Sequence, residues 1–337
     1  MNYPKINLSE SQKNEVNKFN TDNKISYLEL NCISCDTSNY KDLYNNDRYG
    51  IYQKTVMCNN CGLVYSNPRM NEKSLKYFYS TNLYRELYEN VNDFEHGYMS
   101  RSKEIDVNIQ INKPNFEKYY PQLFVDFISD SNINYNSVCE LGAGFGNNLI
   151  YFNKLGKKTF GLEPSIKLTK IAIDNQINIK KGFVNDLKEN YDIIIMKHVL
   201  EHLYDPVKDL KKIKEHTNKY LFIEVPGNIR RIASIQNAHN FYFTKNTLNK
   251  IVYKSGFNLI KSSYCKDTEF IFALYEKAND EFIKYDYDYV KEVNKIKKIY
   301  KNDNIRFFIS KTLKYLQIYN LLKPLRKLVL KLLKFEN

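Results

Sequence analysis

Val138-Cys139-Glu140-Leu141-Gly142-Ala143-Gly144-Phe145-Gly146-Asn147 joins an apolar run to an acid and then to three glycines at alternate positions. Ser137 to Leu141 has the composition of a buried parallel strand, and Asn147 to Leu155 carries apolar residues at helical spacing. Glycine at 142, 144 and 146 omits Cβ atoms where backbone must come close to a ligand, and the turn brings that ligand to a helix N-terminus. This is the build of a nucleotide-cofactor loop. Dinucleotide sites of the Gly-x-Gly-x-x-Gly type share the strand, turn and helix. Here, however, the third glycine follows the second by two residues, and Glu140 stands two before the first. Glu140 would repel a pyrophosphate and attract a cationic amino-acid cofactor.

Further along, Lys158 to Leu162 reads as a short strand ending at Glu163, an acid suited to two ribose hydroxyls that both donate to one carboxylate. Tyr191 to Met196 is a near-continuous apolar strand, followed by Lys197-His198-Val199-Leu200-Glu201-His202. Tyr220 to Val225 is the next strand. Thr244 to Ser255 reads as a capped helix with Gly256 past its end, and Asn258 to Tyr264 and Phe270 to Tyr275 can pair antiparallel. The acid-x-Gly-x-Gly-x-Gly motif, the second acid and His-Val-Leu-Glu-His occur in this order. Together they resemble class I S-adenosylmethionine (SAM) dependent methyltransferases over about Asn136 to Glu276. The resemblance implies an α/β fold with a Rossmann-like seven-stranded sheet, mostly parallel with an antiparallel last strand. It implies SAM as cofactor, held by Glu140, Gly142, Gly144, Gly146, Glu163 and His198. The third-strand loop would add Phe183 to stack on adenine and Asp186 to accept from its amino group.

Transfer of a methyl from a sulfonium requires an aligned nucleophile and removal of its proton, work that suits histidine near neutral pH. The candidates are His198, His202 and His239, with His239 the first choice and His202 in support. His198 and His202 are expected on one helical turn with Glu201 between them. Their spacing would fit a metal pair, but the register is not the His-Glu-x-x-His of zinc proteases, and a supporting role for one histidine competes with catalysis.

A second motif lies near the N-terminus. Cys32 and Cys35 form Cys-x-x-Cys, 22 residues intervene, and Cys58 and Cys61 form another. Paired knuckles of this kind aim four thiolates at one tetrahedral zinc and leave no position open for substrate, so the ion is structural. A disulfide pair or a redox site is the alternative, weakened by the lack of secretory features. Cys139 and Cys265 fall in strands and read as core. Cys61-Gly62-Leu63-Val64-Tyr65-Ser66-Asn67-Pro68 followed by a Tyr-rich segment resembles the zinc-binding N-terminal region of bacterial sugar-modifying methyltransferases. That likeness implies a lobe covering the substrate, with Tyr79 and Tyr84 on the substrate side; packing against the neighbouring domain is the competing reading.

The sugar C-methyltransferases of this kind carry a Tyr-His-Glu-His segment where this chain has Gln236-Asn237-Ala238-His239. Only the last histidine remains, and little sequence follows the last strand to make their large C-terminal domain. O-methylation of a sugar or glycan hydroxyl, nucleotide-activated or lipid-linked, in surface-polysaccharide synthesis is therefore the expectation. C- or N-methylation is the alternative.

The expected domains are a zinc-ribbon-like lobe (1–70), a Tyr-rich helical linker (71–130), the methyltransferase domain (131–278) and a basic helical tail (279–337). A hydrophobic content of 43% excludes global disorder. The net charge of +13 raises the possibility of RNA, or of a protein substrate gripped by the zinc lobe. No basic aromatic stripe marks the methyltransferase region, so nucleic acid is not the expected partner. The charge gathers after Ile305, where Leu321, Leu325, Leu328 and Leu332 recur at helical spacing. Two readings of this tail stay open, a helix on an anionic membrane surface and a helix packed on the protein. With no signal peptide or membrane span, the expected place is the cytoplasm, with the inner membrane face as a variant. A SAM-fold scaffold without activity is the third functional class.

Overall fold

The structure is a computed structural model that describes residues 8–80, 121–227, 235–265, 269–279 and 287–315. Helix α1 (Glu10–Asn20) begins at a capping box, in which Ser9 Oγ accepts from Gln12 N and Gln12 Oε1 accepts from Ser9 N. Strands β1 (Tyr27–Leu28), β2 (Tyr40–Asn46), β3 (Tyr52–Cys58), β4 (Val64–Ser66) and β5 (Arg69–Met70) follow, and then helix α2 (Glu72–Ser80). β2, β3 and β4 pair antiparallel, and β1 pairs with β5. Val16, Phe19, Met70, Leu75 and Phe78 bury together under this sheet, with Phe19 and Phe78 edge to face at 5.5 Å.

Helix α3 (Pro121–Ser129) leads into β6 (Ser137–Leu141), and α4 (Asn147–Lys154) follows the glycine turn. The chain continues through β7 (Lys158–Glu163), α5 (Ile166–Asp174), β8 (Ile179–Lys181), β9 (Tyr191–Lys197), α6 (Pro206–His216) and β10 (Thr217–Pro226). After β11 (Phe241–Tyr242) come α7 (Lys245–Lys254), β12 (Phe257–Cys265), β13 (Phe270–Lys277) and the long α8 (Tyr289–Tyr315). The main sheet has seven strands in the order β12-β13-β10-β9-β6-β7-β8. β8, β7, β6, β9 and β10 run parallel, and β13 inserts antiparallel between β10 and β12. This is the expected Rossmann-like methyltransferase architecture.

Both sheet faces are covered, which explains the continuous apolar runs of the central strands. Val138, Ile193, Ile195 and Phe222 pack with Phe124, Phe127 and Phe152 on one side. Their chain neighbours Cys139, Ile194, Met196, Leu221 and Ile223 pack with Leu210, Ile213, Leu248 and Ile251 on the other. Thr244 caps α7 by accepting from Thr247 N, and Gly256 follows the helix at φ 92°. Cys139 is buried as expected, while Cys265 is only partly covered.

β11 leaves the methyltransferase domain and pairs with β4, Phe241 opposite Tyr65 and Tyr242 opposite Val64, so one strand of the lobe's sheet comes from residues far down the chain. Helix α8 returns to the lobe as well. Val293 and Ile296 pack on Leu43, Met57 and Val64, and Tyr44 Oη donates to Asp303 Oδ2 at 3.1 Å. The first half of the tail is thus packed on the body. Its leucines beyond Tyr315, most of the Tyr-rich linker, Tyr84 and the side chain of Tyr79 lie outside the described residues. No described helix is long and apolar enough to cross a membrane.

Candidate active site

The glycine turn and its two acids lie at the carboxyl ends of β6 and β7, where open α/β sheets place ligands. Gly142, Gly144 and Gly146 all have positive φ, at 68°, 59° and 87°. Their reasons differ. A Cβ on Gly142 would lie 2.5 Å from Val199 Cγ2, and one on Gly146 2.8 Å from Ile177 Cγ2, so these two are crowded by protein. Of the three, only a Cβ on Gly144 would meet open space. Glu163 fastens the loop: Oε2 accepts from Gly144 N and Oε1 from Ser165 N, each at 2.8 Å. A carboxylate offers about four lone pairs, so this leaves acceptor capacity for two hydroxyls.

Glu140 is 2% exposed; its Oε1 accepts from Asn148 Nδ2 at 2.6 Å, and its Oε2 has no hydrogen-bond partner among the described residues. Burial pushes its pKa up to about 7, against the opposing pull of Lys197 and Asn148. A buried carboxylate with one unsatisfied oxygen suits the ammonium of an amino-acid cofactor. Phe183 is 47% exposed, and Asp186 accepts from Phe183 N at 2.9 Å, closing a short 3₁₀ turn. Both stand at the β8 end, the side expected for adenine.

The histidines do not share a helical turn. His198 ends β9 in left-handed conformation at φ 54°, its N–H donating to Glu224 O at 2.8 Å, and only Leu200–His202 form a 3₁₀ turn. The backbone bond to β10 continues the sheet for one residue past β9, and the chain then has to reverse before a helix can begin. His198 Nε2 meets Glu224 Oε1 at 3.0 Å and Nδ1 meets Glu201 Oε1 at 3.5 Å. Burial works to lower its pKa, but the two carboxylates outweigh that and lift it to about 9, so it is an imidazolium at neutral pH. Lys197 Nζ flanks Glu224 Oε2 at 3.7 Å. Basic and acidic groups therefore alternate in a row, Lys197, Glu224, His198, Glu201, of which all but the partly exposed His198 are buried.

Glu201 is the hub. It is 1% exposed and neither carboxylate oxygen accepts a hydrogen bond among the described residues, yet Oε1 lies 3.8 Å from His202 Nε2 and 4.0 Å from His239 Nε2. His202 Nδ1 lies 2.9 Å from Ala238 O, which can only accept, so Nδ1 carries the proton and the basic lone pair is on Nε2. His239 stacks edge-on to His202 at 4.7 Å. Gln236 Nε2 is 2.5 Å from His239 Nε2, and Gln236 Oε1 accepts from Arg48 Nη2 at 3.2 Å. Burial, then His202 and Arg48, hold the His239 pKa well below the ordinary histidine value. Glu201, His202 and His239 lie within 4.8 Å of one another, a metal-like spacing, but the Gln236 amide lies against both ring nitrogens of His239. Glu201 stands in the sequence as the acid between the histidines; Glu224 is not singled out there, although an acid near a strand's end is the signal that could find it, and Arg48 carries no sequence signal.

The four cysteines converge as expected. Cys32 Sγ is 3.6 Å from Cys61 Sγ and Cys35 Sγ 3.4 Å from Cys58 Sγ, with no disulfide among them. These separations are close to the ~3.8 Å edge of a tetrahedron with ~2.3 Å zinc–sulfur bonds. After each knuckle comes a left-handed residue, Asp36 at φ 54° and Gly62 at φ 73°. Tyr287 Oη donates to Cys61 O at 2.6 Å, so the segment before α8 covers the second knuckle.

Residues 115–262 match the family model described as a methyltransferase domain. Among solved structures, magnesium protoporphyrin IX methyltransferase from Synechocystis with bound SAM is similar at 18% identity, covering 60% of this chain and 94% of that one, with a TM-score of 0.41. A SAM-dependent methyltransferase from Aquifex aeolicus is similar at 17% identity, covering 51% and 96%, also with a TM-score of 0.41. No curated protein gives a significant match. The chain carries a class I SAM-dependent methyltransferase domain and is an enzyme of that kind.

Proposed function

We propose that this enzyme methylates a hydroxyl of a sugar or glycan, with a structural zinc in its N-terminal lobe. The observation that carries the reading is the meeting of the glycine loop and its two acids with the Glu201, His202 and His239 cluster at the ends of adjacent strands. SAM, when bound, supplies an electrophilic methyl on a sulfonium. Glu140 holds its ammonium, Glu163 its ribose, and Phe183 and Asp186 its adenine. Gly142 and Gly146 keep the turn tight and Gly144 gives it room. His202 Nε2 takes the proton of the acceptor hydroxyl, and the Glu201 carboxylate stabilises the imidazolium that results. His239 was the first choice from sequence; its engagement by Gln236 favours His202 for this step and leaves His239 to shape the site.

Support for a sugar comes from the lobe. The Val64-Tyr65-Ser66 part of the motif shared with sugar-modifying enzymes is strand β4, which pairs with β11 beside His239. Ser66 Oγ and Gln53 Nε2 donate to His239 O at 3.2 and 2.7 Å. The four thiolates fit zinc by number, spacing and softness. Tyr79 and Tyr84 remain candidates for the acceptor wall, and the tail beyond Tyr315 for contact with a membrane surface.

The test is titration with SAM and S-adenosylhomocysteine, followed by a methyl-transfer screen of nucleotide sugars and glycan extracts. Glu163→Ala is expected to weaken SAM at least tenfold. His202→Ala is expected to leave SAM affinity within about threefold and to lower turnover by about 10²–10⁴. Steeply salt-dependent RNA binding, with methyl transfer to RNA, would sink the sugar reading.

A further inference from the structure

The loop that carries His239 is held largely by residues of the N-terminal lobe. Asn237 N donates to Asp47 Oδ2 at 3.0 Å, and the same carboxylate accepts from Tyr49 N and Ile51 N through Oδ1. Arg48 N donates to Ile235 O at 2.9 Å, and Ser66 N to Asn240 O at 2.9 Å. Tyr242 Oη accepts from Gln236 N and donates to Gln236 O, both at 3.1 Å. On the other side Asn240 N donates to Glu201 O at 2.8 Å, and Asn240 Nδ2 reaches His202 O at 3.1 Å. The loop is a wedge between the lobe and the histidine turn.

We infer that Arg48 is a positioning residue of the active site, acting through Gln236 to assign the catalytic proton to His202 and not to His239. This assignment rests on the reading of His202 as base and follows from hydrogen-bond polarity. The guanidinium can only donate, so it fixes the Gln236 carboxamide with Oε1 toward Arg48 and Nε2 toward His239. An amide Nε2 can also only donate, and it lies 2.5 Å from Nε2 and 3.2 Å from Nδ1 of His239, so the ring nitrogen it engages must accept and the imidazole cannot carry a second proton. His202 and His239 stand edge to face beside the Glu201 carboxylate, which also faces the His198 imidazolium, so charging both rings there is unfavourable. The groups facing His239 are Glu201 and His202 from the turn after β9, His198 at the end of β9, Arg48 from the lobe, and Tyr242 of β11. Among the described residues Glu201 is the acid within ion-pair distance of His239, and the cations around the ring make a second charge there unfavourable. Selection between the two imidazoles thus comes from a lobe residue 188 positions from Gln236.

The five histidines allow each ring to be followed by nitrogen NMR on full-length, zinc-replete protein labelled at histidine. His239 is expected to stay neutral at pH 6.5, where an ordinary histidine is about half charged. Gln236→Glu, whose carboxylate accepts where the amide donated, should charge His239 at that pH and lower kcat at least tenfold with KM for SAM unchanged. Arg48→Met should move the acidic limb of the kcat profile upward by half a pH unit or more, and Arg48→Lys should restore most of it. A charged His239 in the parent protein, or an Arg48→Met variant with parental spectra and pH profile, would overturn the proposal. SAM affinity measured on the same samples separates a failed histidine assignment from a failed methyltransferase reading, since loss of the latter alone would leave the spectra as expected.

Discussion

Glu140 carries a linkage that can be measured without knowing the acceptor. Its folded pKa is raised to about 7 from the usual carboxyl range by burial. In the protein without cofactor, its proton therefore stabilises the fold at acid pH, and that contribution fades as pH rises from about 4.5 through 7. An ammonium placed at Oε2 favours the carboxylate and draws the pKa back down. SAM binding at pH 6.5 is thus expected to release a fraction of a proton, seen as a difference in calorimetric enthalpy between two buffers of unequal ionisation heat. Glu140→Gln should abolish the difference; equal enthalpies for the parent protein would refute the placement. The sequence showed this residue because a strand-end acid before a glycine turn is a local pattern. It could not show the orphaned oxygen, which depends on how Asn148 and Lys197 fold over it.

Among elements, the turn between β6 and α4 separates two kinds of glycine. Gly142→Ala combines a left-handed backbone, about 1–2 kcal/mol, with a methyl driven into Val199, about another 1–3 kcal/mol; the Cβ would stand 2.5 Å from Val199 Cγ2. Gly144→Ala carries the backbone term alone, because its Cβ meets nothing within 4 Å. Denaturant unfolding is expected to rank Gly142→Ala as the less stable, while titration shows that Gly144→Ala loses SAM through a methyl in cofactor space. Equal stabilities would contradict the packing described. Short apolar runs made β6, β7 and β9 legible to within a few residues, and a cap with a trailing glycine made α7 so, since each signal lies in the element's own sequence. The histidine turn was misread as helical for a reason of the same scale: i and i+4 spacing is necessary for one helical face but does not say where a helix starts. The bond from His198 N to Glu224 O, made by a neighbouring strand, decided that.

For the whole molecule, metal removal should separate the two halves of the site. The lobe is built around four converging cysteines, and its residues Asp47, Arg48, Gln53 and Ser66 hold the His239 loop. The glycine loop and Glu163 are held within the main sheet. Metal analysis is expected to give one zinc per chain. Chelation, or Cys58→Ala, should lower the melting temperature and abolish methyl transfer while SAM affinity stays within about threefold; retained turnover in zinc-free protein would disprove the coupling. None of this long-range wiring was legible beforehand, because β11 is two residues long and finds its partner across most of the chain. That short strand also bears on how the gene can be cut. A fragment trimmed to the matched domain, residues 115–262, would retain Phe241 and Tyr242 but lose Tyr65 and Val64 opposite them. It would offer solvent an apolar, unzipped border, the kind of surface on which polypeptides stack into aggregates. The same cut ends inside β12 and removes β13 from between β10 and β12, so a soluble form is expected to need the chain from the cysteine knuckles through β13.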